Sequence, residues 1–442
     1  MAPLPVGSRP HHILVWGATG FTGRLIVEYL HANYPLDADG GSAAQPPLRW
    51  ALAGRNEERL RAVKRDLGLP PGLPHLIADS HDEASLEAMS GQADVVITTV
   101  GPYLKYGTIL VEACARAGTH LCDLTGESLW VEEIIEKFDK VAQSTGAKIV
   151  PSCGFDSIPA DMGTFMIADH LKRVHNTETV EVTYHPGKFS SGAPSGGTVA
   201  SLMGIVEAAW EGGAKVRNQL NDPYLLVPSD QRPTYSNPST GGGFGYDAAA
   251  RGWTAPFVFA GHDSKIVHRS NALLHYGPLR YRECMLFGGR VLGLVPALCV
   301  AAALNVAAAL LFLPPTRALL RRALPKAGDG PTQEQRDSGF FWVNLEGKGA
   351  DGTRVAGVVG SDHGDCGYKE TAKMLSECAV TLALDGARLP ARGGVLTTAS
   401  AMGAPLLERL RARGMTFTVE TVAPGGGSGA AAASADGSKK EL

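Results

Sequence analysis

The chain has 442 residues, a formal net charge of −3 and a pI of about 6.5. That length allows two domains and a sizeable core, and the mild acidity leaves no electrostatic footprint for nucleic acid. Seven cysteines are scattered with no Cys-x-x-Cys, and no secretory leader precedes His11; this points to a reducing intracellular compartment and away from a disulfide framework or structural zinc.

Residues 1–10 read as a flexible tail. An apolar strand, Ile13-Leu14-Val15-Trp16, then runs into Gly17-Ala18-Thr19-Gly20-Phe21-Thr22-Gly23 and a helix-like pattern. This order suits a dinucleotide phosphate. Gly17 allows the sharp turn, Gly20 lets the backbone approach the pyrophosphate, and Gly23 lets the helix pack on the strand. The first helical turn then points free N–H groups at the phosphates. The second strand, Leu48 to Arg55, ends in Gly54-Arg55-Asn56, where an NAD site usually has Asp or Glu. Arg55 suits a ribose 2′-phosphate, so NADP(H) is expected in preference to NAD(H). Tyr34 to Pro47 reads as a surface loop.

The strand–helix rhythm continues. Strands are expected at His75 to Asp79, Asp94 to Val100, His120 to Leu124 and Lys148 to Pro151, and helices at Glu83 to Ser90, Ile109 to Ala117 and Glu132 to Ser144. Asp79 is placed by the adenine or as a helix cap. Val100-Gly101-Pro102 follows the fourth strand, where doubly wound sheets hold ligands. Beyond Pro151 the pattern changes. Helices are expected at Met162 to Leu171, Val199 to Leu220 and Lys369 to Leu384. Strands are expected at Thr179 to Tyr184 and Met415 to Val422, and a hairpin at Phe340 to Leu345 with Thr353 to Val359. Leu226 to Asp247 reads as loop-rich. The expected architecture is α/β, with a Rossmann doubly wound parallel sheet over 11–152, a second α+β domain over 153–423, and a disordered Gly/Ala/Ser-rich tail over 424–442.

Several motifs together carry a family resemblance. They are Gly17 to Gly23, Ala53-Gly54-Arg55, Val100-Gly101-Pro102-Tyr103, Asp123-Leu124-Thr125-Gly126-Glu127, Gly154-Phe155-Asp156-Ser157-Ile158-Pro159, Ser195-Gly196-Gly197-Thr198 and Gly330-Pro331-Thr332. The chain resembles the saccharopine dehydrogenase-like oxidoreductases, in the branch of the trans-acting enoyl reductases and the animal saccharopine dehydrogenase-like oxidoreductase. Cys366 stands where the enoyl-reductase-like members tend to carry Pro. The resemblance implies a nicotinamide-binding domain followed by a smaller α+β domain, and it does not imply lysine metabolism.

Val291 to Leu313 holds no charged residue. At ~1.5 Å per residue it is long enough to cross a hydrocarbon core of about 30 Å. Basic residues flank both ends (Arg280, Arg282 and Arg290 before; Arg317, Arg321, Arg322 and Lys326 after), so neither side is favoured as cytosolic. The expectation is a segment, 291–313, that lies on or dips into a membrane with both ends in the cytosol; a buried core helix is the alternative. Animal members of the branch are associated with lipid droplets, which favours an anchor there or on the cytosolic face of the endoplasmic reticulum. Lys439-Lys440-Glu441-Leu442 resembles a dilysine retrieval signal.

Hydride chemistry needs a proton donor near the nicotinamide. Tyr103, Glu127 and Asp156 are candidates by position, the carboxyls if burial raises their pKa. Their structural alternatives are packing for Tyr103, a cap or ion pair for Glu127 and an Asx turn for Asp156. Tyr184-His185-Pro186-Gly187-Lys188 matches the short-chain dehydrogenase spacing, but Pro186 and Gly187 break the helix it requires. His363, Asp365 and Cys366 lack a fourth ligand, so no metal is expected. The expected function is an NADP(H)-dependent reductase for an apolar carbonyl or enoyl compound of lipid or glycolipid metabolism, with a homodimer compatible. The rivals are a soluble saccharopine-type amino-acid dehydrogenase, which needs cationic groups absent from residues 193–261 as a cluster, and a nucleotide-binding lipid-droplet scaffold without turnover.

Overall fold

Apolar runs of three to six residues alternate with amphipathic helices through the first third of the chain, a pattern that buries both faces of a parallel sheet. The computed structural model describes residues 5–35, 48–190, 194–234, 243–248, 250–323, 325 and 329–423. Most of the loop expected over 34–47 lies outside the described residues, as do the tail expected over 424–442 and its dilysine.

Strands in chain order are β1 (His11–Trp16), β2 (Trp50–Gly54), β3 (His75–Ile77), β4 (Ala93–Thr98), β5 (His120–Cys122), β6 (Lys148–Val150), β7 (Thr179–Phe189), β8 (Gly245–Asp247), β9 (Gly252–Pro256), β10 (Arg280–Gly288), β11 (Phe341–Gly349), β12 (Arg354–Ser361), β13 (Gly394–Val395) and β14 (Thr416–Thr421). The first sheet has the order β13-β6-β5-β4-β1-β2-β3, with every pairing parallel. The chain reverses its direction of travel between β1 and β4, so the ligand crevice lies beyond their carboxyl ends. The second sheet has the order β14-β12-β11-β7-β10-β9-β8. Only β7 and β10 pair parallel in it, which makes it mixed.

The two sheets are not built from two separate stretches of chain. β13 comes from the far end and pairs with β6, Gly394 opposite Lys148. The Ile158–His175 helix, started by Pro159 in its first turn, joins the layers. Its buried Asp161 accepts hydrogen bonds from Ser270 Oγ, from Thr398 Oγ1 at 2.6 Å and from the Ala399 amide at 2.9 Å.

One expectation needs correction, and another, that Tyr184 to Lys188 is not a helical motif, holds. The helix expected over 199–220 is two helices, Gly196–Glu211 and Gly213–Asn221. Gly213 adopts φ +60°, a left-handed conformation that ends the first helix. Tyr184 to Lys188 lies within β7, so this Tyr-x-x-x-Lys spans extended backbone and not a helical turn.

The apolar segment forms the helix Leu294–Phe312, long and apolar enough to cross a membrane by length and composition. It is no core helix. Its buried residues are Ala297 and Ala301, one turn apart, which rest with Ala255 against Trp253, Met285 and Phe287 of β9 and β10. Leu292 is 85% exposed and Val295 65%. β10 before the helix and β11 after it both flank β7, so a single crossing of a bilayer would tear one sheet in two.

Candidate active site

The turn after β1 is shaped by contacts that leave no room for side chains. Gly17 has φ +90°, and a Cβ there would lie 2.7 Å from Thr99 Oγ1 and 2.9 Å from Val100 Cγ2. A Cβ on Gly23 would lie 2.1 Å from the Gly17 carbonyl oxygen. The Gly20 amide donates to that same oxygen at 2.9 Å. Phe21 opens the Phe21–Asn33 helix, whose N-terminus has no side-chain cap and no acid in its first turn. A cradle lined by bare backbone at an uncapped helix start fits a dinucleotide pyrophosphate. Gly17, Ala18, Thr19, Gly20, Phe21 and Gly23 all belong to it. Val100, Gly101 and Pro102 follow β4 beside it.

At the end of β2, Arg55 is exposed. The His81 amide, donating at 2.9 Å, holds the Asp79 carboxyl below its ordinary range. The Asn56 side chain caps the Glu57–Asp66 helix by accepting from the Arg59 amide at 2.9 Å. The structure thus presents Arg55 to solvent and assigns Asn56 to a helix.

The candidate proton donors differ in surroundings. Tyr103 is buried against Trp130, with ring centroids 5.3 Å apart. Its hydroxyl accepts from the Leu124 amide at 3.2 Å and donates to the Thr98 carbonyl at 3.3 Å. Burial pushes this phenol well up. Glu127 is also buried. Its carboxylate accepts from the Tyr103 amide at 2.9 Å, the Leu104 amide at 2.8 Å and Ser201 Oγ at 2.7 Å. Both residues have their polar atoms engaged in holding the loop after β4.

Asp156 is placed otherwise. It lines a cavity of about 210 Å³ with Thr22, Leu124, Ser152, Phe155, Thr198, Phe259 and Tyr368 among others. No hydrogen bond reaches its carboxyl among the described residues. Burial pushes this carboxyl up to about 6. Thr22 lies in the first turn of the helix that the cradle opens, so the cavity adjoins the nucleotide site. No Lys or Arg lines the cavity among the described residues.

Sequence reasoning missed the groups behind this wall. His262, drawn to about pKa 3 by burial, is neutral. Ser152 Oγ donates to the Thr125 carbonyl at 2.7 Å and accepts from His262 Nε2–H at 2.9 Å; Ser128 Oγ then donates to Nδ1 at 2.7 Å. Asp123 accepts from the Thr125 and Ser152 amides at 2.8 and 3.0 Å, and burial raises it to about 8. Buried Asp263 accepts from Ser157 Oγ at 3.1 Å. His262 and Asp263 lie on the Ala260–Leu274 helix, which carries no motif or apolar stripe to announce it. Asp365, weighed above as a metal ligand, accepts from the Tyr368 and Lys369 amides, each at 3.0 Å, and so starts the Lys369–Leu384 helix.

A parallel sheet with a glycine-lined helix start, joined to a mixed sheet through the Ile158–His175 helix, defines a nicotinamide-dependent oxidoreductase fold of two layers. Comparison with known proteins narrows the class. Residues 13–150 match the family described as the saccharopine dehydrogenase NADP binding domain. The chain is 39% identical over 428 residues to a candidate trans-acting enoyl reductase of Mycobacterium tuberculosis, covering 94% of this chain and 99% of that one. It is 37% identical over 423 residues to the trans-acting enoyl reductase of Mycobacterium bovis, covering 92% and 97%. Among solved structures, saccharopine dehydrogenase (L-Glu forming) from Saccharomyces cerevisiae shares the fold, with a TM-score of 0.50 at 15% identity over 93% of this chain and all of that one. The chain belongs to the saccharopine dehydrogenase-like oxidoreductase family and carries its NADP-binding domain.

Proposed function

We propose that the protein is an NADPH-dependent reductase of an apolar α,β-unsaturated acyl compound, working at an intracellular membrane or lipid-droplet surface. The observation that carries this reading is the Asp156 carboxyl, which has no hydrogen-bond partner among the described residues and lines a cavity without Lys or Arg that adjoins the glycine cradle. The Gly17–Gly23 cradle would hold the pyrophosphate and Arg55 the 2′-phosphate. NADPH held there would supply hydride chemistry for reduction at the β-carbon of the substrate double bond. Asp156 donates the proton that completes reduction at the α-carbon. Leu124, Phe155 and Phe259 exclude water from the reacting carbons, while Glu127 and Tyr103 fix the loop that carries Gly101 and Pro102. The absence of Lys and Arg from the described cavity wall favours this substrate class over an amino acid with several carboxylates. The names of the mycobacterial relatives support the same class.

The Leu294–Phe312 helix is the proposed contact with lipid. Its outward face is apolar, and aromatic and basic groups border it. Trp210 packs on Phe312 at 5.0 Å, Arg217 lies 5.9 Å from the Phe312 ring, and Arg290 lies 5.9 Å from the Tyr246 ring. Such amphipathic groups favour the headgroup layer. A surface that concentrates lipid suits an enzyme with an apolar cavity.

Steady-state reduction of a long-chain trans-2-enoyl thioester by the full chain tests the proton-donor role. Asp156→Asn is expected to lower kcat by roughly 10² or more, the scale of general-acid catalysis, with NADPH affinity retained. Unchanged kcat would remove Asp156 from the mechanism.

A further inference from the structure

Phe21 stands at the first position of the helix behind the glycine cradle, and its ring is held from the other half of the molecule. Tyr368 meets it edge-on, with centroids 5.2 Å apart and planes at 87°. The Arg336 guanidinium lies 5.5 Å from its centroid. Gly330 is flush against it: a Cβ there would come within 2.4 Å of Phe21 Cζ. Tyr368 in turn grips the start of the Gly196–Glu211 helix. Its hydroxyl accepts the Ser195 amide and lies 3.4 Å from Thr198 Oγ1. The Gly196 amide donates to the Asp329 carbonyl at 3.2 Å, on the strap that carries Gly330. Tyr368 and Thr198 both line the cavity that holds Asp156.

A dinucleotide in the Gly17–Gly20 cradle would restrict the Phe21 backbone and, with it, the ring. We infer that Phe21 and Tyr368 are positioning residues that transmit nucleotide binding to the Ser195–Thr198 wall of the substrate cavity, so that the wall is firmer once the cofactor is in place. This rests on the reading of the glycine cradle as the NADP(H) site. The linkage needs no large movement. It requires that the edge-on ring contact be stronger in the nucleotide-bound state. Substrate then meets a firmer cavity wall when NADPH is bound.

Hydrogen–deuterium exchange of the full chain with and without saturating NADPH tests the link. In the wild type, NADPH is expected to slow exchange in Gly17–Arg24 and also in Ser195–Leu202, the latter by about threefold to tenfold, the range an edge-on aromatic pair supplies. Tyr368→Phe keeps the ring and removes the oxygen that accepts the Ser195 amide. It should retain the first protection and lose the second. Gly330→Ala pushes the Phe21 ring off Tyr368 and should give the same split. An NADPH-dependent protection of Ser195–Leu202 that survives both substitutions overturns the link, as does its absence from a wild type protected at Gly17–Arg24. A wild type protected at neither segment overturns the nucleotide site itself and the link with it.

Discussion

Burial that raises the Asp156 carboxyl to about 6 also makes it a costly residue for the fold. A carboxyl with a folded pKa above its unfolded value of about 3.9 binds its proton more tightly when folded. It imposes no penalty at pH values below the unfolded pKa, and the full penalty at values above the folded one. Asp156→Asn is therefore expected to raise Tm at pH 7 and to leave it unchanged below about pH 4, read by thermal unfolding across pH. Activity should run the other way. The protonated donor is lost as pH rises through about 6, so the wild-type rate should fall there and the asparagine variant should lose that limb of the profile. At the nucleotide end, Arg55 is exposed and presented to solvent. Arg55→Ala should weaken NADPH binding about tenfold, the lower end for a hydrogen bond to a charged group, and leave NADH binding unchanged in a fluorescence titration. Equal losses for both nucleotides would remove the 2′-phosphate contact.

Elements with a clean period or a clear cap were legible. Glu83–Ser90 has Asp82 as its cap, and Lys369–Leu384 follows a turn at Gly367; both helices match their expected bounds. Ala260–Leu274 was not legible because its buried face is polar. Asp263, Lys265, His268 and Arg269 are buried there, and tertiary contacts satisfy several of them. Arg269, for example, donates to the Leu226 carbonyl at 2.7 Å. Thr398–Ala412 was hidden by its breakers, with Pro405 inside and Gly403 at φ 47°. The same tertiary logic hid His262, while Asp156 could be singled out because its turn motif is local. Gly23 offers a test at this scale. A methyl 2.1 Å from the Gly17 carbonyl oxygen forces the helix off the strand, so Gly23→Ala should cost about 1–3 kcal/mol in denaturant unfolding and abolish nucleotide binding. The Leu294–Phe312 helix offers another. Leu298 and Val306 are exposed on it, so Leu298→Glu with Val306→Glu should leave Tm within about 1 °C, as exposed changes do. The pair should release the protein from lipid vesicles in a flotation assay. Unchanged flotation would contradict the lipid contact.

At the scale of the whole molecule, the parallel sheet brings the cofactor to the crevice at the carboxyl ends of β1 and β4. The turn between β6 and the Ile158–His175 helix carries Asp156 beside that crevice, and the apolar helix rests on the outer part of the mixed sheet through β9 and β10. In the proposed function, one chain joins the hydride source, the proton source and the lipid contact. The most direct test supplies NADPH deuterated at the transferable position of the nicotinamide, with a long-chain trans-2-enoyl thioester, to the full chain on lipid vesicles. The account predicts a saturated thioester bearing one deuterium at the β-carbon, formed mole for mole with NADPH oxidised. Deuterium at the carbonyl carbon, or an unreduced thioester alongside bound NADPH, would contradict it.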